Sequence, residues 1–524
     1  MSEQYVLILG GGLMQRPAVE AAQELGYKAL VIDANPDAVC VPFADRFERI
    51  DLKDRESIAE FALSLGDSLR AVFTAGTDFS ASVSYAAERC GLQSHRFQAA
   101  LNASNKILMR RCFQKNGIPS PDFFEADESY IARAEKGKTE PLCFPKVVKP
   151  VDNMGARGCR LVRNHEELVL ALREAVRFSR EKKAVVEDYM EGAEFSIDAL
   201  VTNGTVTVAG FADRHIFFEP YFVELGHTMP SSVSGEQKAQ IIQVFSDAVR
   251  ALGLTDGVAK GDVKYTERGP MIGEIAARLS GGYMSGWTFP YSSGCFLTKE
   301  AMKIALGLPP EFSCGQEIPS VRTSCERAFI SIPGTVKKIY GEESAHAAPF
   351  VQNIFFRVKE GSRVEFPRNN VEKCGNVISC SESRSLAVSA AESAAACIVL
   401  RLEPRCSRTE QFLSRKELPG EQGFPRSAYD FSSAASGLLQ ELEKNPAVQE
   451  NESVQECVPS CIMAASEGQR DWNFRTVRQS LALFDRLCPV HPAFDARKFW
   501  SCLERGGVQG ILYYADSAEA ADES

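Results

Sequence analysis

The 524-residue chain contains no run of about 18 or more apolar residues, the minimum for a membrane-spanning helix. Its first apolar stretch, Tyr5 to Leu9, is too short for the core of a secretory leader. It has no basic segment ahead of it and passes straight into Gly10-Gly11-Gly12. A cytoplasmic protein without a membrane partner is therefore expected. Positive charge is not in surplus either: the formal net charge is -10, which argues against a nucleic-acid partner while leaving room for a local anion site. The cysteines, sixteen in all, lack metal-binding spacing. Several, such as Cys143, Cys295 and Cys397, sit in apolar segments, and the one close pair is Cys457 with Cys461. A structural zinc site takes four ligands and no second pair is present, so reduced structural thiols are the first reading and a metal or redox role for that pair the second. No internal repeat is found.

With 44% hydrophobic and 24% charged residues, the composition is that of an ordinary soluble enzyme, large enough for three or four domains. A buried strand over residues 5–9, a glycine turn, a helix from about Pro17 to Leu25 ended by Gly26, and a second strand over residues 29–33 form a β–α–β series. That order predicts a parallel, doubly wound α/β domain over residues 1–118. Gly117-Ile118-Pro119-Ser120-Pro121 punctuates the chain, and residues 119–330 then alternate hairpin strands with helices, an α+β pattern. Residues 331–410 carry further strands and an Ala-rich helix from Ser385. Residues 411–524 read as a linker, Glu417 to Gly423, followed by a small, mostly helical extension. Within it Asn445 to Val458 is expected to be mobile and the acidic tail from Asp516 frayed.

The glycines at 10–12, with Asp33 after the second strand, invite a dinucleotide reading, but Gln15 stands where the third glycine of that fingerprint belongs. A generic α/β turn or a substrate-side loop is the better account.

Three separated segments carry more weight. Asn105-Lys106-Ile107-Leu108-Met109-Arg110 lies on a helix. Lys146-Val147-Val148-Lys149-Pro150 is a strand entering the loop Asp152-Asn153-Met154-Gly155-Ala156-Arg157-Gly158. Backbone N–H groups of such a loop can wrap phosphates, Gly155 and Gly158 give it freedom, and Lys149 supplies a point charge. Alone it is also a plain hairpin with a lysine. The third segment, Val186-Glu187-Asp188-Tyr189-Met190-Glu191-Gly192-Ala193-Glu194, could offer Glu187 to an adenine amino group and Glu194 to ribose hydroxyls; an exposed acidic turn is the bland alternative.

Asp262 and Glu274 fall on two strands joined by a turn at Glu267 to Pro270. Facing carboxylates repel unless a cation lies between them, and Mg2+ favours carboxylates plus substrate phosphates. Two charges on a solvated face are the other reading. Arg278, beside Gly281-Gly282, can grip a phosphoryl group or an oxyanion, or serve a structural ion pair.

Taken in order, these segments resemble the ATP-grasp superfamily, and in particular its carboxylate–amine and L-amino acid ligase branch, over roughly residues 4–405. The resemblance implies a pre-ATP-grasp domain over residues 1–118, an ATP-grasp fold after it, and ATP with Mg2+ (or Mn2+) as cofactors. It places Lys106 and Lys149 on the phosphates with Gly155, Arg157 and Gly158. It places Glu187 and Glu194 on adenine and ribose, Asp188 and Met190 at the backbone hinge, Asp262 and Glu274 on the metal, and Arg278 as the catalytic arginine. The stretch from Pro220 through His227 to Pro230 is similar to a P-Y-F-V-E-x-G-H-x-x-P segment of that branch, which puts His227 near the reacting centre. Two positions depart from the pattern: Asp262 where glutamate is usual, and Ala276 where an asparagine would give a further oxygen ligand. The activity implied is amide or peptide bond formation through an acyl phosphate, with small carboxylates and amines, amino acids among them, as partners and a homodimer as an open assembly. A bicarbonate-using carboxylase or carbamoyl-phosphate-type enzyme and a non-catalytic ATP-binding scaffold remain the alternatives.

Overall fold

The computed structural model describes residues 3–312, 317–414 and 423–522. Two compact units are present: Met1–Ile216 with Gly226–Cys325 and Cys380–Arg384, and Phe217–Leu225 with Glu326–Ser379 and Ser385–Ser524.

In the first unit the apolar N-terminal run becomes the Tyr5–Leu9 strand of a parallel sheet, in the order Arg46–Arg49, Lys28–Asp33, Tyr5–Leu9, Leu69–Phe73. Its two central strands are apolar without alternation because both faces are covered. Val6, Ile8 and Val31 enter one core, and Leu7, Leu9, Leu30 and Ile32 enter another on the opposite face. Gln15, at the place of the missing third glycine, is fully buried and accepts from the Ala75 N–H at 2.8 Å, a structural role.

An antiparallel sheet follows, ordered Phe123–Ala126, Ala184–Asp188, Lys146–Pro150, Arg160–Val162. The His165–Phe178 helix covers it, with Leu168, Ala171, Leu172, Ala175 and Val176 at helical spacing turned to that core. A larger sheet places the strands Gly269–Ala276, Gly257–Thr266, Ala193–Thr202, Thr205–Phe217 and Val223–Met229 side by side in that order. The Gly235–Leu252 helix lies under it, capped by Ser234 and closed by Gly253 in the left-handed conformation (φ 81°). Its Ile241, Phe245, Ala248 and Val249 pack with Phe195, Ile197, Ala199, Val263 and Ile275 of the strands.

The second unit holds the strands Gly334–Tyr340, Val399–Leu402 and Arg363–Val364, the pair Val351–Phe356 with Gly375–Ser381, and several helices. The fold class is that expected: α/β, then α+β, then a helical end. Residues 331–410, apart from Cys380–Arg384, and the extension after them share this one compact unit. The linker expected at Glu417 to Gly423 lies outside the described residues up to Gln422. Two expectations for the extension are corrected. Residues 445–458 are tied down by the Ala447–Val448 strand, which pairs with Phe494–Asp495, and by Asp485, which accepts from the Val454 N–H at 2.9 Å. The acidic tail is not frayed at Asp516. The Ala496–Asp522 helix, interrupted at Gly507 (φ 59°), carries Asp516 inside, and Arg401 donates to its two oxygens at 2.7 and 2.8 Å. An acidic, Ala-rich run reads as solvated only when its cationic partner, here more than a hundred residues away, is out of view. Asp516→Ala strands a largely buried guanidinium, so a loss of about 3 kcal/mol is expected, read as a fall in the urea midpoint. Among the described residues no helix is long and apolar enough to cross a membrane.

Candidate functional site

The site grows from strand alternation. Along Ala193–Thr202 the residues Glu194, Ser196 and Asp198 share one face, while Phe195, Ile197 and Ala199 enter the core on the other. The neighbouring strand sets Lys264 opposite Glu194, Asp262 opposite Ser196 and Lys260 opposite Asp198. The next strand adds Glu274 opposite Asp262. A polar face with rows of alternating charge results.

The facing of Asp262 and Glu274 depends on a β-bulge. From the turn outward the pairs run Thr266↔Gly269 to Val263↔Ile272, which would bring Asp262 opposite Gly273; a register shift between Asp262 and Val263 instead pairs Asp262 with Glu274. Gly273 sits in the bulge, where a Cβ would stand 3.1 Å from the Asp262 carbonyl oxygen.

Burial alone would raise both acids. Arg214, then Lys260, overrides this at Asp262, and Lys106, then Lys260, Arg278 and Lys149, hold Glu274 well below the usual carboxylate range. Both are thus anionic. Asp262 is ion-paired to Lys260, lies 3.2 Å from the Arg214 guanidinium and accepts from Ser196 Oγ at 2.9 Å. Lys106 Nζ lies 3.1 Å from Glu274 Oε1. Among the described residues no group of three or more His, Cys, Asp or Glu side chains could hold a metal. Two facing carboxylates with ammonium groups already against them nevertheless fit a Mg2+ (or Mn2+) ion that takes its remaining ligands from phosphates and water. Ala276, opposite Lys260, offers no side-chain oxygen.

The glycine loop stands over the Lys146–Pro150 and Arg160–Val162 strands. Gly155 and Gly158 both have positive φ, and a Cβ on Gly158 would meet Phe178 at 2.9 Å. Asp152 anchors the loop by accepting from the N–H groups of Arg180 and Glu181, each at 3.0 Å. Arg157 reaches to 3.9 Å from Asp78 of the first α/β domain. Lys106 opens the Lys106–Asn116 helix, where Asn105 caps it by accepting from Ile107 and Leu108. Its ammonium also donates to the Asn153 carbonyl of the loop at 2.9 Å, so one side chain joins the loop to the acidic pair.

Lys149 and Glu187 lie diagonally on one face of paired strands and meet at 2.8 Å. The other oxygen of Glu187 accepts from Arg110 Nε at 2.8 Å, and Arg110 also donates to the Gly273 carbonyl at 2.6 Å. Glu187 is 2% exposed; burial would raise it, but Arg110 and then Lys149 hold it down at about 2. Its carboxylate, given to adenine in the sequence reading, has both oxygens occupied by this triad. No sequence motif assigns Arg110 a role. The available signal was its place one helical turn after Lys106, on the same face.

Glu194 pairs with Arg214 and lies 3.6 Å from Lys264, which also donates to the Met190 carbonyl at 3.0 Å. Asp188 turns to the opposite face and pairs with Lys146. Arg278 is buried and donates to the Leu279 carbonyl at 2.9 Å. The loop it opens is held at Ser280, whose N–H and Oγ both donate to Asp198 at 2.9 Å. Burial pushes Asp198 up to about 6 despite the Ser280 bonds. On its other side the loop touches the first domain: a Cβ on Gly76 would lie 2.7 Å from the Gly281 Cα. Asp198, Ser196 and Lys260 have a sequence signal in the alternation of E-F-S-I-D and K-G-D-V-K, whereas Arg214 has none in those two segments.

His227 is buried on the Val223–Met229 strand. Two strands separate it from the Asp262 strand, which at strand spacing is ~14 Å. It therefore lies apart from the carboxylate pair.

Three family matches run along the chain in order: a ribonucleotide synthetase preATP-grasp domain over residues 4–68, an ATP-grasp domain over 142–286, and an L-amino acid ligase C-terminal domain 2 over 328–403. The chain thus carries the domains of an ATP-grasp ligase. This ATP-grasp ligase is 26% identical over 401 residues to the uncharacterized protein y4rH of Sinorhizobium fredii, covering 74% of this chain and 80% of that one. It is 25% identical over 329 residues to carnosine synthase 1 of Gallus gallus, covering 58% of this chain and only 35% of that protein. The structure of an L-amino acid ligase from Bacillus licheniformis superposes with a TM-score of 0.66 at 23% identity, over 77% of this chain and all (100%) of the other, which shows the shared fold.

Proposed function

We propose that this ATP-grasp ligase activates a small carboxylate as an acyl phosphate and joins it to an amine, with amino acids as the substrate class. The observation that carries the reading is the contact of Lys106 with both the glycine loop and Glu274, in one cluster with Lys149 and opposite Asp262. The carnosine synthase and L-amino acid ligase relatives support it.

In the proposed reaction a carboxylate oxygen attacks the γ-phosphorus of ATP and the bond to the β-phosphate oxygen breaks, releasing ADP. Lys106, Lys149 and the loop N–H groups offset charge on the phosphates and hold them in line. A Mg2+ ion held by Asp262 and Glu274 would neutralise phosphate charge. Arg278, fixed by the Ser280–Asp198 bonds, faces the oxyanion that forms when the amine attacks the acyl carbon. Phosphate then leaves and the amine gives up a proton. Glu194 suits the ribose hydroxyls, and the Asp188–Met190 backbone suits the adenine edge. His227, remote from the metal ligands, suits the organic substrates.

The test is a panel of amino-acid pairs with Mg-ATP and an 18O-labelled carboxylate. One ADP per product, a product mass equal to the two substrates less water, and label in the released phosphate are expected. A product gaining a carboxyl group from bicarbonate would make the enzyme a carboxylase. ATP binding without turnover on any pair would leave a scaffold.

A further inference from the structure

We propose that the C-terminal extension positions the organic-substrate end of the ligase: Phe424 packs on Tyr221, and Trp472 backs the Phe366 ring that meets Phe218, so that the Phe217–Leu225 segment, from which the chain runs into His227, is held in place. The proposal rests on the ligase reading above and gives a role to residues beyond 403, where the L-amino acid ligase domain match ends.

Phe366 is the hub. Its ring centroid lies 5.0 Å from Phe218, 5.6 Å from Phe412, 5.6 Å from Phe424 and 5.0 Å from Trp472. Phe424 in turn meets Tyr221 edge-on at 4.7 Å. The Arg368 guanidinium stands over both the Tyr221 and Phe424 rings, at 5.6 and 5.8 Å. Phe424 is 2% exposed and Tyr221 3%. Three rings of the cluster, Phe412, Phe424 and Trp472, thus come from the extension, and two, Phe218 and Tyr221, from the segment it holds.

That segment is constrained rather than merely covered. Phe218 has φ 69°, a left-handed conformation that a bulky residue keeps only where its surroundings enforce it. The Tyr221 N–H donates to the Phe218 carbonyl at 2.9 Å, and the Glu224 N–H donates to Asn370 at 2.8 Å. The Val223–Met229 strand begins at once, so the place of Tyr221 and Glu224 sets the register at which the chain enters His227.

The extension is itself braced. Asn473 exchanges two hydrogen bonds with the Ile330 backbone, at 2.8 and 2.9 Å. Gln509 donates to Ser331 Oγ and the Leu400 carbonyl, each at 2.8 Å. Arg475 donates to the Ala396 carbonyl at 2.8 Å. A braced aromatic bracket fits a task in which small misplacements of a substrate-contacting segment cost rate. The Glu274 strand lies four places along the sheet from the Val223–Met229 strand that carries His227, so the effect should fall on the organic substrates rather than on ATP.

Phe424→Ala tests this, with Phe424→Tyr as the conservative rescue. Using the amino-acid pair that the wild type turns over best, kcat/KM for that pair is expected to fall about tenfold or more while the KM for ATP stays within about twofold, and the tyrosine variant is expected to restore it. A parallel loss in the KM for ATP, or no change in either, overturns the proposal. Should Phe424→Ala not fold, Arg368→Gln removes the cation over the two rings; an unchanged ratio of the two constants in that variant is equally fatal. If the wild type forms no product with any pair, the ligase reading fails first. Hydrogen exchange then decides the bracket separately: the Tyr221 and Glu224 amides should exchange faster in the variant, and unaltered exchange there rejects it.

Discussion

Glu274→Gln is expected to lower turnover roughly 100-fold or more, the scale of losing a key electrostatic group in a phosphoryl-transfer site. The substitution keeps shape and hydrogen-bonding capacity but removes a charge that is firmly present, because Lys106, Lys260, Arg278 and Lys149 overcome the cost of its burial. Lys106 would lose its ionic partner at 3.1 Å and keep only the Asn153 carbonyl. ATP should still bind through the loop and the lysines, with a weaker dependence on Mg2+. Steady-state kinetics at several Mg2+ concentrations, beside a direct ATP-binding titration, separate the two effects. Near wild-type turnover at all Mg2+ levels would remove Glu274 from the metal-binding role.

The second large effect concerns stability. Arg110→Met leaves Glu187 buried with Lys149 as its one cationic partner and deprives the Gly273 carbonyl of a donor, so a loss of roughly 3 kcal/mol is expected at pH 7. The pH dependence has a definite sign. Glu187 in the folded chain titrates at about 2, below its unfolded value near 4.3. Its contribution is complete above the unfolded value and is lost as pH falls toward 2, on the order of 3 kcal/mol in all. Removing Arg110 lets the folded value rise and flattens that part of the profile. Urea midpoints of the two proteins at pH 7 and pH 3.5 should therefore lie farther apart at pH 7. A constant separation would show that Arg110 does not hold this carboxylate down.

Much of the site was legible in the sequence because it follows local rules. The glycine loop between Lys149 and Arg160 announces a hairpin, and helix Lys106–Asn116 carries its cap and stop signals on either side. Two strands joined by a turn allow Asp262 and Glu274 to face each other, and the structure pairs them by way of a bulge that no residue pattern announces. What escaped was non-local. Glu187 reads as an adenine contact until one knows which strand lies beside it and which helix face presents Arg110. Asp516 reads as a frayed tail until Arg401 is brought against it. Tyr221 and Phe424 are some two hundred residues apart, and no periodicity joins them.

The bulge at Gly273 makes the whole catalytic proposal hang on counting. Were the ladder to run on from its turn without that bulge, every backbone bond could still form, yet Glu274 would fall opposite Gly261 and rotate to the greasy underside of the sheet. A descendant of this protein could thus trade chemistry for pure nucleotide capture by a one-residue slip in pairing, while its lysines stayed the same.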